Sequence, residues 1–456
     1  MKNVILLAIW LCSSYNLFSQ GIKIKGCVRD MPYTKVFFAE ILAGKMNYLD
    51  STVANNGCFD FYEPDSLENG MYSVVLSKQQ NAYIRIILNN EKEIEFNTSF
   101  SRTWEEMNFT KSAENKLFYA YNKTASAVAD RTDLLYKLLA KYPADSKLAK
   151  DLNAELIVQN SLARQSAANI EKDHPKSMAA VFIKAQEPVT IPPGMDTIPY
   201  LRDHLLDQLD FNSTPLMRSG MLSSGILKYL SLFENKDFTY KEQVENYALA
   251  LGRILQKAAI NDTVYGQYRT DLSGRYRYGN YDILGAYISK YYPEKRDAVS
   301  LMNSSDIRSR LNSLNHVSQG VQAPDIQMPT YDGKTSGLAD IHSDYTLLVF
   351  WSTGCFHCTE MLPELKKIYD RQTGHSLEVL AVSFDTDKTA WQDFIKKGNF
   401  SWINYSDLKG WQSDIAKAYD IQGTPTYILL DRGKTVIFKP ATLEELFTKL
   451  HALNVI

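Results

Sequence analysis

Nothing in this sequence is built to cross a membrane as a helix. A bilayer span takes about 20 consecutive apolar residues, whereas the run at the start, Val4 to Leu11, has eight, and no later segment reaches the spanning length. Charge of one sign is also missing. With 50 basic and 52 acidic residues the net charge is −2, which argues against a nucleic-acid polyanion as the main partner. Cysteine is scarce: five in 456 residues cannot staple a chain of this length, so the fold must rest on apolar cores. There is no low-complexity run and no convincing internal repeat. What is present, 45% apolar and 22% charged residues, is the composition of globular protein. At about 150 residues per domain the length suggests roughly three domains.

The first residues bear on compartment. Met1-Lys2-Asn3 is a short basic start, Val4 to Leu11 is apolar, and small and polar residues follow to Leu17-Phe18-Ser19-Gln20. This pattern predicts a secretory signal peptide over residues 1–20. Cys12 follows Trp10-Leu11 rather than a small residue, so the expectation is a cysteine removed with the leader rather than a lipid anchor. Export, to the periplasm or cell envelope, implies an oxidising environment. Cys27, Cys58, Cys355 and Cys358 then remain.

The rest of the chain divides by pattern. Over residues 21–112 short β-strands are expected. Ile22, Ile24, Gly26 and Val28 alternate with Lys23, Lys25, Cys27 and Arg29, the two-residue period of a half-buried strand. Further strand-like runs are Lys35 to Ile41, Phe59 to Tyr62, Tyr72 to Leu76, Ile84 to Leu88 and Ile94 to Phe96, with Asn55-Asn56-Gly57 and Asn89-Asn90 as turns. Together they predict a small antiparallel all-β sandwich. Residues 113–319 read as all-α. Leu134, Leu135, Leu138, Leu139 and Tyr142 keep helical spacing, as do Met221, Leu222, Ile226, Leu230 and Phe233, and Ile283, Leu284, Tyr287 and Ile288; such stripes are expected to be helix–helix core. Pro192-Pro193-Gly194 marks a break. Residues 320–456 alternate strands (Tyr345 to Phe350, Glu378 to Ser383, Thr426 to Leu430, Thr435 to Phe438) with helices (Phe356 to Tyr369, Lys388 to Lys397, and a last one opened by Thr442 and Glu445). That is an α/β unit.

Chemistry is concentrated in Trp351-Ser352-Thr353-Gly354-Cys355-Phe356-His357-Cys358, a C-x-x-C at a strand-to-helix turn. The spacing brings two sulfurs within bonding reach across the first helical turn. Cys355 would lie at the helix N-terminus, where unpaired amides and the helix dipole favour a thiolate. That thiolate can attack a disulfide sulfur, and Cys358 can then release the mixed disulfide. Structural zinc would need a second ligand pair, and the other cysteines lie far off in the β region. Haem attachment fails because Thr359, not histidine, follows Cys358. No metal and no cofactor is expected.

The C-terminal stretch resembles the thioredoxin superfamily, specifically its exported TlpA/ResA-like thiol–disulfide oxidoreductases. The matching residues are Ala323-Pro324-Asp325, Leu338-Ala339-Asp340, Phe350-Trp351 ahead of the cysteines, Pro363 within the helix, and Gly423-Thr424-Pro425-Thr426. The resemblance implies a thioredoxin fold and catalysis by Cys355 and Cys358, with Trp351 and His357 as tuning residues. It also implies a cis Thr424–Pro425 bond whose exposed edge forms the substrate groove, thiol- or disulfide-bearing protein partners, and an upstream electron donor or acceptor in the membrane. Over residues 21–112, Gly26, Asp50-Ser51, Asn56-Gly57 and Phe59-x-Phe61 resemble a DUF4369-type domain, which brings no known chemistry.

Departures from the family pattern matter. Val349 replaces a buried aspartate, Met361 stands where ResA-like proteins carry a glutamate with Glu360 one position earlier, Gly354 replaces a tryptophan, and Phe356 replaces a proline or glycine. His357 precedes the second cysteine as in DsbA-type sites, where an imidazole stabilises the thiolate and makes the disulfide more oxidising; the other reading is a solvent-facing residue of little effect. Cys27 and Cys58 each lie opposite the apolar face of their strands and are expected to form a structural disulfide if those strands are adjacent.

Three functions follow from this reading. The first is an exported thiol–disulfide oxidoreductase serving cell redox homeostasis, with the direction of electron flow open. A thiol peroxidase is a second, although Ser352 occupies the place of the threonine that chemistry wants. The third is an envelope binding protein whose large N-terminal part is the functional element.

Overall fold

The structure, a computed structural model, describes residues 21–456 except 144, 193, 295–303, 315–316, 330–334 and 373–375; the leader expected over residues 1–20, with Cys12, lies outside the described residues. Two compact units divide the chain, Met1–Leu227 and Lys228–Ile456.

The first unit begins with eight strands: β1 Ile22–Arg29, β2 Lys35–Leu42, β3 Lys45–Val53, β4 Cys58–Glu63, β5 Gly70–Ser77, β6 Ala82–Leu88, β7 Glu93–Ser99 and β8 Asn108–Lys111. They form two four-stranded sheets, ordered β4-β1-β7-β8 and β3-β2-β5-β6. Alternation explains the arrangement: Ile22, Ile24 and Val28 of β1 are buried while Lys23, Lys25 and Cys27 point outward. Phe61 of β4 meets Phe38 of β2 across the sandwich at 5.7 Å. Gly26 is required by packing, since a Cβ there would lie 2.5 and 2.6 Å from the Phe59 and Phe96 rings. The sandwich is not purely antiparallel as expected, because β1 pairs parallel with β7. The chain reaches β7 only after passing through the other sheet, and it re-enters alongside β1 in the same direction. β3, missed by the sequence reading, is a largely exposed, polar strand with no alternation to mark it.

Helices follow: α1 Ala113–Leu139, α2 Lys147–Asp173, α3 Met178–Lys184, α4 Thr197–His204, α5 Thr214–Met217 and α6 Met221–Ser231, within which the unit boundary falls. Ser112 caps α1 through Asn115 N. The buried Asn115 side chain then accepts from Ile87 N at 2.8 Å and donates to Ile87 O at 2.9 Å, so the free edge of β6 is satisfied by a side chain. One expectation fails here. Leu134 (61% exposed), Leu138 and Tyr142 lie on the surface rather than in a helix–helix core. Helical periodicity reports a stripe, and nothing in it says whether a neighbour covers that stripe.

The second unit contains α7 Tyr240–Ala258, α8 Asp262–Arg275, α9 Ile283–Tyr291, α10 Ser304–Asn312, β9 Gln327–Pro329 and β10 Thr335–Gly337. It then alternates β11 Tyr345–Trp351, α11 Phe356–Tyr369, β12 Leu377–Ser383, α12 Lys388–Gly398, β13 Ile403–Tyr405, α13 Asp414–Ala418, β14 Thr426–Asp431, β15 Val436–Phe438 and α14 Leu443–Ala452. The five-stranded sheet runs β13-β12-β11-β14-β15, with β11, β12 and β13 parallel and β14 antiparallel to both its neighbours. This is the thioredoxin-like α/β architecture. Central β11 is buried on both faces: Leu347, Val349 and Trp351 pack with α11 and α14, Leu348 and Phe350 with Ile341, Ala416 and Tyr419. Two apolar faces produce the unbroken apolar run seen in its sequence.

Candidate functional site

β11 delivers the chain at its C-terminal end to the turn before α11, and the two cysteines straddle that junction. Cys355 is the N-cap of α11, its sulfur accepting from Cys358 N at 3.2 Å. Cys355 is partly exposed and Cys358 is completely buried among Trp351, Met361 and Leu362. The two are joined as a disulfide with Cα atoms 5.2 Å apart. The helix end adds partial positive charge at the Cys355 sulfur, so after reduction the outer sulfur has both the access and the environment of a thiolate.

The loop before β14 closes the other side. The Thr424–Pro425 peptide bond is cis, and Thr424 O lies 3.4 Å from Cys355 Sγ. Thr426 Oγ1 donates to Gly423 O at 2.7 Å, holding the loop against the start of β14.

The remaining predicted residues take different places. Trp351 is fully buried, its ring 5.4 Å from Phe394 and its Nε1 without a hydrogen-bond partner; it forms the floor beneath the cysteines. His357 is exposed on α11 with its ring 5.8 Å from that of Phe356. Glu360 is exposed, while Met361 is buried in the core that holds Cys358. Val349 is buried in the same core. Cys27 and Cys58 are disulfide-bonded in the first unit, opposite each other on β1 and β4.

Sequence reading missed the residue that fixes the turn. Asp385, nearly buried just beyond β12, accepts from Thr353 N at 3.0 Å, from Thr353 Oγ1 at 2.6 Å and from Ser383 Oγ at 2.6 Å. Phe384 N also donates to Trp351 O at 2.8 Å. The approach to Cys355 is thus tied to the neighbouring strand by a carboxylate. A signal existed: β12 is parallel to β11, so residues after both strands must emerge at one end of the sheet. Burial pushes the phenols of Tyr427 and Tyr419 far above their ordinary range, and neither would exchange protons near neutral pH. Among the described residues no group of three or more His, Cys, Asp or Glu side chains could hold a metal ion, and no helix is long and apolar enough to cross a membrane.

Residues 319–439 match the AhpC/TSA family. The thiol-disulfide oxidoreductase ResA of Bacillus subtilis is 27% identical over 130 residues, 28% of this chain and 71% of ResA. The thioredoxin-like protein YneN of the same organism is 30% identical over 121 residues, 26% of this chain and 68% of YneN. Among solved structures, the thioredoxin domain of a thiol-disulfide oxidoreductase from Bacteroides vulgatus is 26% identical, covering 30% of this chain and 99% of that domain at a TM-score of 0.29. Through its C-terminal α/β domain the chain belongs to the thioredoxin-like family of ResA/TlpA-type thiol–disulfide oxidoreductases.

Proposed function

We propose that this chain exchanges disulfides with cysteine-bearing proteins outside the cytoplasm, using Cys355 as nucleophile and Cys358 as resolving thiol. In the reductive direction the Cys355 thiolate attacks one sulfur of a partner disulfide; the partner's other sulfur leaves as a thiolate, forming a mixed disulfide. Cys358 then attacks the Cys355 sulfur, releasing the partner with both thiols reduced and the pair oxidised, two electrons having moved. The oxidative direction reverses the same bonds. A redox partner in the membrane would reset the pair.

The observation that carries the reading is the asymmetry of the two sulfurs. Cys355 sits partly exposed on a helix N-terminus against the Thr424 carbonyl, and Cys358 is sealed beneath it. Thr424 and Pro425 would offer the backbone edge that pairs with an extended partner segment. Export is supported by the apolar start of the sequence, Val4 to Leu11, and by cysteines paired as disulfides. In domain terms the exchange chemistry belongs to residues 320–456, following a helical domain at 113–319 and a β-sandwich at 21–112.

Expression of Cys358→Ala in the native cell tests the proposal, because removing the resolving thiol strands the intermediate. Mixed disulfides through Cys355 should accumulate and be identified by mass spectrometry after non-reducing separation. A Cys355 that is never found joined to a protein partner would overturn the reading.

A further inference from the structure

The cis-proline loop has a neighbour from outside the α/β fold. Between α8 and α9 the chain turns through Tyr278 and Gly279, and this turn lies against the loop. A Cβ placed on Gly423 would sit 2.5 Å from Tyr278 Oη, 3.3 Å from Cζ and 3.4 Å from Cε1. The tip of the ring therefore occupies the space that any side chain at position 423 would need. Gly423 in turn precedes Thr424, whose carbonyl touches Cys355 Sγ. The contacts form a continuous row: Phe356, Cys355, Thr424, Gly423, Tyr278.

The turn is pinned, not loose. Gly279 adopts φ +89°, and a Cβ there would lie 3.4 Å from the Ala441 Cβ. Asn280 Nδ2 donates to Gln319 Oε1 at 3.0 Å. Asp282 pairs with Lys439, both almost completely buried, and Lys439 Nζ also donates to Val317 O at 2.8 Å. Buried charges held in this way fix a position, since breaking either partner leaves the other unpaired in a dry site. Arg277, Tyr278 and Gly279 line one cleft with Pro425, Thr426 and Ala441.

Tyr278 nevertheless remains 46% exposed, and Phe356 at the other end of the row is 68% exposed. Two open aromatic rings thus stand at the ends of the row that contains the reactive sulfur. An aromatic ring offers a large apolar face at little conformational cost. The geometry points to Tyr278 as a specificity-determining residue of the cis-proline groove, a fixed wall against which an apolar side chain of the partner rests when that partner's cysteine meets Cys355. The partner this fits is an extended segment with an apolar residue beside its cysteine. A strand pairing with the Thr424–Pro425 edge brings a side chain one or two positions from its cysteine level with Gly423 and so against Tyr278.

This rests on the disulfide exchange proposed above, and one assay separates the two. The probes are a pair of short synthetic peptides, each with a single cysteine in mixed disulfide with glutathione and with either leucine or serine on both sides of that cysteine. The full chain reduces them with dithiothreitol as terminal donor, so each turnover yields one peptide thiol, one glutathione and one oxidised dithiothreitol. The wild-type protein should show a KM roughly fivefold lower for the leucine peptide, about 1 kcal/mol, with similar kcat for both. Tyr278→Ala should erase that preference through KM, and Tyr278→Phe, which keeps the ring, should retain it. Overturning results are a wild type without preference, or a preference that persists in Tyr278→Ala. If the wild type reduces neither peptide, the exchange reading itself falls.

Discussion

Two cysteine pairs in one chain, both disulfide-bonded, are placed by the fold in opposite circumstances. Cys27 and Cys58 face each other directly in the antiparallel ladder of β1 and β4, 31 residues apart in sequence, on the outer surface two positions along from the facing pair Lys25 and Asp60. Cys355 and Cys358 are three apart, across the first turn of α11. The outer pair is the more accessible, so access alone does not single out the pair proposed to exchange disulfides. What the second pair has is a backbone amide donating to one sulfur, a helix end beneath it, a carbonyl from the cis-proline loop beside it, and complete burial of the partner sulfur. On the proposed exchange, sulfur chemistry here follows the backbone groups around the sulfur.

Removing each pair separately puts the largest strain on this comparison. The loop closed by Cys27–Cys58 restrains the unfolded chain, and its loss should lower stability by about 3 kcal/mol. A Cys27→Ala, Cys58→Ala double variant should therefore unfold at lower urea concentration while exchanging disulfides at a rate within about twofold of wild type. The Cys355→Ser, Cys358→Ser variant should lose exchange outright while giving up less stability, about 2 kcal/mol, because its three-residue separation closes a much shorter loop. If the first variant lost exchange, or the second lost most of its stability, the division of labour would be wrong.

A smaller effect tests whether the β-sandwich is stabilised by burial rather than by charge. Glu63 ends β4, the strand that Cys58 begins, and is buried with Oε1 lacking a hydrogen-bond partner. Burial, reinforced by the Asp50 charge, raises its carboxyl to about 7. The folded state thus holds a proton that the unfolded state releases nearer pH 4.5. Stability from this group is full below that lower value and is lost as pH rises through about 7. Urea melts at pH 5 and pH 8 should differ by roughly 2 kcal/mol in favour of the lower pH. Glu63→Gln should flatten the difference by gaining stability at pH 8. A wild-type curve that is flat or rises across this interval would show the carboxylate to be solvated.

How far the sequence carried these conclusions depends on whether the determining contacts are local. The alternation of Ile22, Ile24 and Val28 announced a half-buried strand, and the doubly apolar run of β11 followed by Cys355 and Cys358 announced the strand-to-helix junction, because period and capping act within a few residues. The parallel pairing of β1 with β7 was not legible, since it depends on a path through the other sheet. Nor was the exposure of Leu134 and Leu138, which depends on a neighbour that no periodicity names. Asp385 and Tyr278 share the same difficulty. One reaches Thr353 from the next strand and the other fills the space left by Gly423, and each earns its place only through residues distant in sequence. Gly423 was quoted with the loop it belongs to, while the reason it has no side chain lies in the turn before α9.

The finest test asks whether a side chain adds anything to the backbone at the redox pair. His357 stands in the first turn of α11, one residue before Cys358, exposed and with its ring 5.8 Å from that of Phe356. An imidazolium there favours the Cys355 thiolate and hence the reduced form, which raises the reduction potential. Water screens a charge so exposed, so the effect should be modest. Replacing His357 by alanine should lower the potential by about 15 mV, roughly a threefold change in the exchange constant at about 30 mV per factor of ten. Titration of both proteins against glutathione buffers reads this directly. A midpoint unchanged by the substitution would assign the tuning entirely to the Cys358 amide and the end of α11, making the contrast with Cys27 and Cys58 a matter of backbone alone.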